Sequence, residues 1–201
     1  MNKPKLKSDF YRQADTVAVA RALLGKKLVT HFRGVITSGI ICETEAYCGT
    51  EDRGCHAYGG RFTERTRIMY AAGGVAYVYL CYGIHHLFNV VTHTEGEPHA
   101  VLIRAIEPLE GTATMLRRRN RNSLTPQLGA GPGLVSQCLG LTTKHTGSSL
   151  LEDTVWIEPY EDIADTQIIS SARVGMHFSG PYKTIPWRFR IAGSPFTSKA
   201  R

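Results

Sequence analysis

Cysteine is scarce in this sequence: five residues in 201, an odd number, with no Cys-x-x-Cys pair. That argues against a disulfide framework or a zinc ribbon and points to reduced thiols. A metal site at Cys48, Cys55 and His56 fits none of the recurring zinc spacings. Long apolar runs are also missing. No stretch reaches the ~20 residues that a membrane-spanning helix requires. Met1 to Arg12 carries charge without the apolar run of a signal peptide. The expectation is a soluble intracellular protein, cytoplasmic or in the nucleoid or nucleus, with no membrane partner. No Gly-x-Ser-x-Gly elbow or His-Glu-x-x-His pair occurs, which leaves acyl transfer and zinc proteolysis without support. With no repeat, low-complexity tract or long linker, one domain over residues 1–201 is expected.

Positive charge is what the chain has in excess, at a formal net +7, which favours a polyanionic partner such as nucleic acid, or an anionic membrane surface. Asp15-Thr16 ahead of Val17, Val19, Ala20, Leu23 and Leu24, with Gly25 behind, predicts a capped amphipathic helix. Lys26–Phe32, the turn Arg33-Gly34 and Val35–Tyr47 read as a β-hairpin. Val75–Cys81 and Leu87–His93 read as a second, turning near Tyr82-Gly83. Further strands are expected at Ala100–Ile106, Val155–Glu158, Ile168–Val174 and Trp187–Ile191, and a helix at Gly111–Arg119. Strands without βαβ alternation predict an α+β domain on a curved, largely antiparallel sheet with flanking helices.

The stretch ICETEAYCGTEDRGCHAYGG (Ile41–Gly60) carries the strongest chemical pattern. Strict alternation puts Ile41, Glu43, Glu45 and Tyr47 on one strand face, with the two carboxylates roughly 7 Å apart. That separation suits an acid/base pair of an inverting sugar hydrolase, and equally a solvated strand face. Tyr77 and Tyr79 share a face of the second hairpin, where core packing accounts for Tyr77. Tyr82 falls at the tip with no core to join, and an exposed aromatic on a basic protein suits base stacking or wedging. Gly129-Ala130-Gly131-Pro132-Gly133 opens a helix whose free N–H groups could hold a DNA phosphate. It is neither a dinucleotide fingerprint nor a P-loop, so a nucleotide cofactor has no support. Residue types alone stop at a basic α+β protein suited to nucleic acid, with a candidate carboxylate site; a sugar hydrolase and a non-catalytic nucleic-acid-binding module both stay open.

The chain resembles the alkyladenine type of 3-methyladenine DNA glycosylase. The likeness runs from ALLGKKLV (Ala22–Val29) to PWRFRIAG (Pro186–Gly193). It is most specific in ETEAYCGTEDRGCHAYGGRFTERTRIMY (Glu43–Tyr70), AYVYLCYG (Ala76–Gly83), LFNVV (Leu87–Val91) and AVLIRAIEPLEG (Ala100–Gly111). The resemblance implies excision of 3-methyladenine, other alkylpurines, hypoxanthine and ethenoadenine from duplex DNA, by a monomer, without metal or organic cofactor. It implies that Glu45 activates the attacking water, that Arg104 helps to hold that water, and that Glu43 has no catalytic role. It further implies that Tyr47, His56 and Tyr79 enclose the flipped base, that Asn89 excludes normal guanine, and that Tyr82 fills the vacated duplex from a protruding hairpin. No Lys is placed as a Schiff-base nucleophile, so a monofunctional enzyme is expected.

Overall fold

The computed structural model describes residues 4–199; of the expected span 1–201, residues 1–3 and 200–201 lie outside the described residues. Ser8–Tyr11 (α1) and Thr16–Ala22 (α2) precede the hairpin of Lys27–Phe32 (β1) and Val35–Cys48 (β2). Ala76–Cys81 (β3) and His85–Thr92 (β4) form the second hairpin, followed by His99–Glu110 (β5). Thr112–Arg119 (α3), Pro132–Leu139 (α4), Val155–Glu158 (β6), Ile168–Ser171 (β7), Pro181–Thr184 (α5) and Arg188–Ile191 (β8) complete the order.

Local chemistry explains the first elements. Asp15 caps α2 by accepting the Ala18 N–H at 2.9 Å, and Gly25 follows its end in the left-handed region at φ 77°. Val19, Ala20, Leu23 and Leu24 recur at helical spacing and are fully or almost fully buried. Arg33 and Gly34 both take positive φ, 53° and 78°, as a two-residue hairpin loop of the favoured twist demands. Phe32 and Val35 pair directly across it. Pro132 stands in the first turn of α4, as the glycine-rich segment predicts. Two of the three arginines ending α3 tie it to α4 and its approach: Arg118 donates to the Cys138 carbonyl at 2.7 Å, and Arg119 to the Leu128 carbonyl at 3.1 Å.

All eight strands among the described residues join one open antiparallel sheet. Its main path runs β3-β4-β5-β2-β1-β6, while β8 pairs with both β2 and β7. The fourteen-residue β2 is therefore shared: it pairs with β1 along its first half, with β5 along most of its length, and with β8 at Glu43–Glu45. The helices α2 and α4 cover the sheet with Val19, Leu23, Val135 and Leu139, against Ile41, Phe88, Val101 and Ile103. The mixed α+β class and the antiparallel sheet are those expected. Three strand bounds shift by two residues or more. The strand reading of Ile168–Val174 stops at Ser171, the strand begun at Ala100 extends from His99 to Glu110, and the strand expected from Leu87 begins at His85.

Candidate active site

Irregular pairing between two neighbouring strands builds the site. Between β2 and β5 the register runs Ile41–Ile106, Glu43–Ala105, Thr44–Ile103, so Cys42 and Arg104 are skipped. Bulges of this kind re-aim the side chains around them. Ile41 consequently packs in the core with Ala46. Strict alternation would group Ile41 with the glutamates; the break at Cys42 separates it from them. Glu43 and Glu45 turn together toward Arg104.

Both carboxylates are fully buried, so neither belongs to a solvated strand face. Glu45 Oε2 accepts the Tyr47 hydroxyl at 2.9 Å and Arg104 Nη1 at 3.2 Å. Its Oε1 accepts the Val174 N–H at 2.8 Å. Glu43 Oε1 accepts Arg104 Nε at 2.8 Å, Arg188 Nε at 2.7 Å and Ser198 Oγ at 2.8 Å. Its Oε2 accepts the Ser198 N–H at 2.6 Å. Burial alone would push the Glu43 carboxyl up, but Arg104, Arg188 and the Ser198 N–H outweigh it and hold it below its ordinary value. Burial likewise disfavours the Arg104 charge, yet Glu45 and Glu43 overcome that and raise its pKa.

A second ion pair braces the first. Arg173, which the strand reading of 168–174 obscured, lies just beyond β7 and meets Asp52 through two parallel bonds of 2.6 and 2.7 Å. Both side chains are fully buried. Arg173 also donates to the Ala46 carbonyl at 2.9 Å, and its guanidinium lies 4.7 Å from the Tyr47 ring and 5.2 Å from that of Trp187. The pair thereby fixes the chain where Val174 reaches Glu45. Gly54 leaves room for the pair, because a Cβ would come within 2.8 Å of Arg173 Nη2 and 2.9 Å of Met176 Sδ and press on the guanidinium.

In front of this cluster lies a cleft of about 620 Å³. Tyr47, His56, Tyr79, Asn89 and Arg104 line it, Tyr82 belongs to its lining too, and Gly131–Leu134 form part of another wall. Glu45 sits behind Tyr47 and Arg104, touching both. The seven residues named from sequence thus converge on one place. His56 Nδ1 is 2.8 Å from the Tyr77 hydroxyl, and Arg65 Nη2 is 3.1 Å from His56 Nε2. A guanidinium can only donate, so Nε2 accepts and Nδ1–H donates to Tyr77. Burial, then Arg65 and Arg61, lower the His56 pKa to about 4, which keeps the ring neutral near pH 7. That ring meets Tyr79 edge-on at 4.6 Å. Asn89 spends its amide N–H groups on the Tyr77 and Leu87 carbonyls, leaving Oδ1 as its remaining acceptor. The β3–β4 tip stands out at the cleft, with Tyr82 85 % and Ile84 69 % exposed. Tyr82 and Gly83 turn it at φ 50° and 72°.

Sequence reasoning missed Asp52, Arg65, Arg173, Arg188 and Ser198. Asp52 and Arg65 fall inside the Glu43–Tyr70 stretch, but nothing local marks Asp52 as buried or sets the exposed Arg65 apart from other surface arginines. Among the described residues, no three His, Cys, Asp or Glu side chains gather as metal ligands. The Cys48 and Cys55 thiols are free, and burial pushes both up to about 12. No helix among the described residues is long and apolar enough to cross a membrane.

Comparison with known proteins matches residues 9–195 to the family model described as methylpurine-DNA glycosylase. A Chlamydia pneumoniae protein named "Putative 3-methyladenine DNA glycosylase" is 45 % identical over 188 residues, 93 % of this chain and 95 % of its own. Proteins of the same name from Chlamydia abortus and Bacillus cereus strain B4264 are 47 % and 45 % identical, over 92 % and 94 % of this chain and 97 % of each relative. A family match of that span, with relatives this similar along nearly their whole length, means that the chain belongs to the methylpurine-DNA glycosylase family.

Proposed function

We propose that this DNA-3-methyladenine glycosylase turns the damaged purine out of duplex DNA into the cleft and hydrolyses its N-glycosidic bond with a water activated by Glu45. The observation that carries this reading is the convergence of the Tyr47 hydroxyl, Arg104 and the Val174 N–H on one buried carboxylate behind an aromatic-lined cleft. Glu45 Oε1 retains acceptor capacity for a water proton. As the glycosidic bond breaks, positive charge develops on the sugar, and the carboxylate stabilises it while taking that proton. Arg104 orients the water. The cleft has room for a flipped nucleotide, with Tyr47, Tyr79 and the neutral His56 ring against the faces and edge of its base. Asn89 crowds the 2-amino group of normal guanine. Tyr82 enters the gap in the duplex, since its exposed ring has no packing role to leave. The net charge of +7 supports contact with DNA phosphates. The substrates under this reading are 3-methyladenine, other alkylpurines, hypoxanthine and ethenoadenine in duplex DNA, and the acting species is a monomer.

The test is incubation with a duplex carrying one hypoxanthine or one alkylated adenine, followed by alkali. Strand breaks at the lesion only after alkali support a monofunctional glycosylase. Breaks without alkali, or none, overturn that reading. Activity lost to EDTA and restored by zinc or magnesium overturns the metal-free water activation.

A further inference from the structure

Arg104 reaches Glu45 with only one of its nitrogens. Nε donates to Glu43 at 2.8 Å, and Nη2 lies 3.4 Å from Ser198 Oγ. Glu43 in turn accepts Arg188 Nε and both the N–H and the hydroxyl of Ser198. Arg188 closes the ring by donating Nη2 to the Ser198 carbonyl at 3.1 Å. All four residues are nearly or fully buried, and Arg104 is the member of this group that lines the cleft. The group also joins two distant parts of the chain, β2 with β5 and the segment that follows β8.

We propose that Glu43, Arg188 and Ser198 form a seat that positions Arg104, and through it the attacking water. The proposal rests on the assignment of Glu45 and Arg104 given above. An arginine side chain has many rotamers, and one hydrogen bond to Glu45 would leave the guanidinium free to swing. Bonds to Glu43 and Ser198 at its other nitrogens define its plane before substrate arrives. Glu43 also divides the Arg104 charge, so Glu45 does not hold the whole guanidinium as a closed ion pair. Glu43 is thus a positioning residue, with no contact to substrate, rather than half of a catalytic carboxylate pair.

The test is a double-mutant cycle on single-turnover excision, with binding to an abasic-analogue duplex and thermal melting measured alongside. Glu43→Gln should slow excision by about 100-fold, the loss a misplacement near 1 Å can produce. Ser198→Ala keeps the backbone N–H to Glu43 and removes only the hydroxyl, so its loss should be smaller, about tenfold or less. Affinity for the abasic analogue should stay within about threefold for both, because the seat acts on the chemical step. The decisive comparison is made in an Arg104→Gln background. There, neither Glu43→Gln nor Ser198→Ala should slow excision further, since the residue they act through is gone. Ser198→Thr, which restores a hydroxyl, should recover most of the Ser198→Ala loss. If Glu43→Gln does not fold, the Ser198 cycle decides alone. Losses that multiply in the Arg104→Gln background, or that follow the fall in melting temperature, overturn the seat. If Arg104→Gln itself excises like wild type, the fault lies with the assignment of Arg104, and the two failures are told apart.

Discussion

The cleft joins two regions built on opposite principles. Behind it, Glu43, Glu45 and Asp52 meet Arg104, Arg188 and Arg173 in a buried cluster where every carboxylate oxygen has a partner and four of the six have two or more. At its mouth, the β3–β4 tip holds Tyr82 and Ile84 in solvent on a turn with Tyr82 in the left-handed region. Bond-breaking chemistry depends on sub-ångström placement, so its groups are over-determined by packing and charge. A group that enters DNA must leave water for another surface, so the protein must not already use it as core. The difference separates two kinds of dependence. Changes in the cluster should alter chemistry or stability, and changes at the tip should alter DNA engagement alone.

The contrast can be broken or sharpened in order of effect. Glu45→Gln keeps the size of the side chain but removes the base, and should slow excision by roughly 100- to 10,000-fold. Its affinity for an abasic-analogue duplex should remain within about tenfold; loss of binding in step with loss of rate would assign Glu45 to DNA contact instead. Asp52→Asn leaves the Arg173 charge buried without its carboxylate, which costs about 3–5 kcal/mol. A melting temperature lower by on the order of 10 °C is expected, and an unchanged melt would show that the pair is not structural. Tyr82→Ser should weaken lesion-duplex binding by about tenfold while stability moves by less than about 0.5 kcal/mol. Ethenoadenine fluorescence follows the flipping step directly. Wild-type flipping by this variant would remove Tyr82 as the wedge and pass the role to Ile84 or His85.

The effect that vanishes at neutral pH concerns His56. Its pKa is about 4 in the fold against 6.5 as a free group, so the unfolded chain binds more protons between those values. Unfolding is therefore favoured as pH falls from 6.5 toward 4, and this contribution to stability is present in full above 6.5. His56→Gln should flatten the wild-type decline in melting temperature across that window. Parallel curves for the two proteins would mean that His56 is not held neutral.

Much of this arrangement is legible in the sequence where the cause is local. Asp15 ahead of Val19 and Leu23 announces α2, and Arg33-Gly34 announces the first turn. Tyr82-Gly83 marks the second turn, because an aromatic out of phase with the strand alternation and next to glycine fits a tight turn and not a continuing strand. The cleft residues Tyr47, His56, Tyr79, Asn89 and Arg104 follow from the likeness of whole stretches rather than from periodicity. What stays hidden depends on distant partners. The break at Cys42 arises only when β2 lies against β5, and it decides which side Ile41 takes. Arg173 lies outside any strand, so no alternation marks it as buried. Ser198 reads as an ordinary polar residue until it meets Glu43, 155 residues away along the chain.

The shared β2 strand has a consequence for hydrogen exchange. Glu43, Thr44 and Glu45 pair with β5 on one edge and β8 on the other, and Thr44 also donates its hydroxyl to the Ala20 carbonyl of α2. Opening this stretch would part the sheet on both sides at once, so no small local fluctuation exposes its amides. Exchange at Glu43–Glu45 should therefore follow global unfolding, and that of the Tyr82–Ile84 turn should follow local opening, which native-state hydrogen exchange would check. A substitution elsewhere in the core that weakens the fold lowers the fraction of molecules that are folded and leaves the carboxylate geometry of each folded molecule intact. Destabilised variants should accordingly lose active molecules before they lose rate per active molecule.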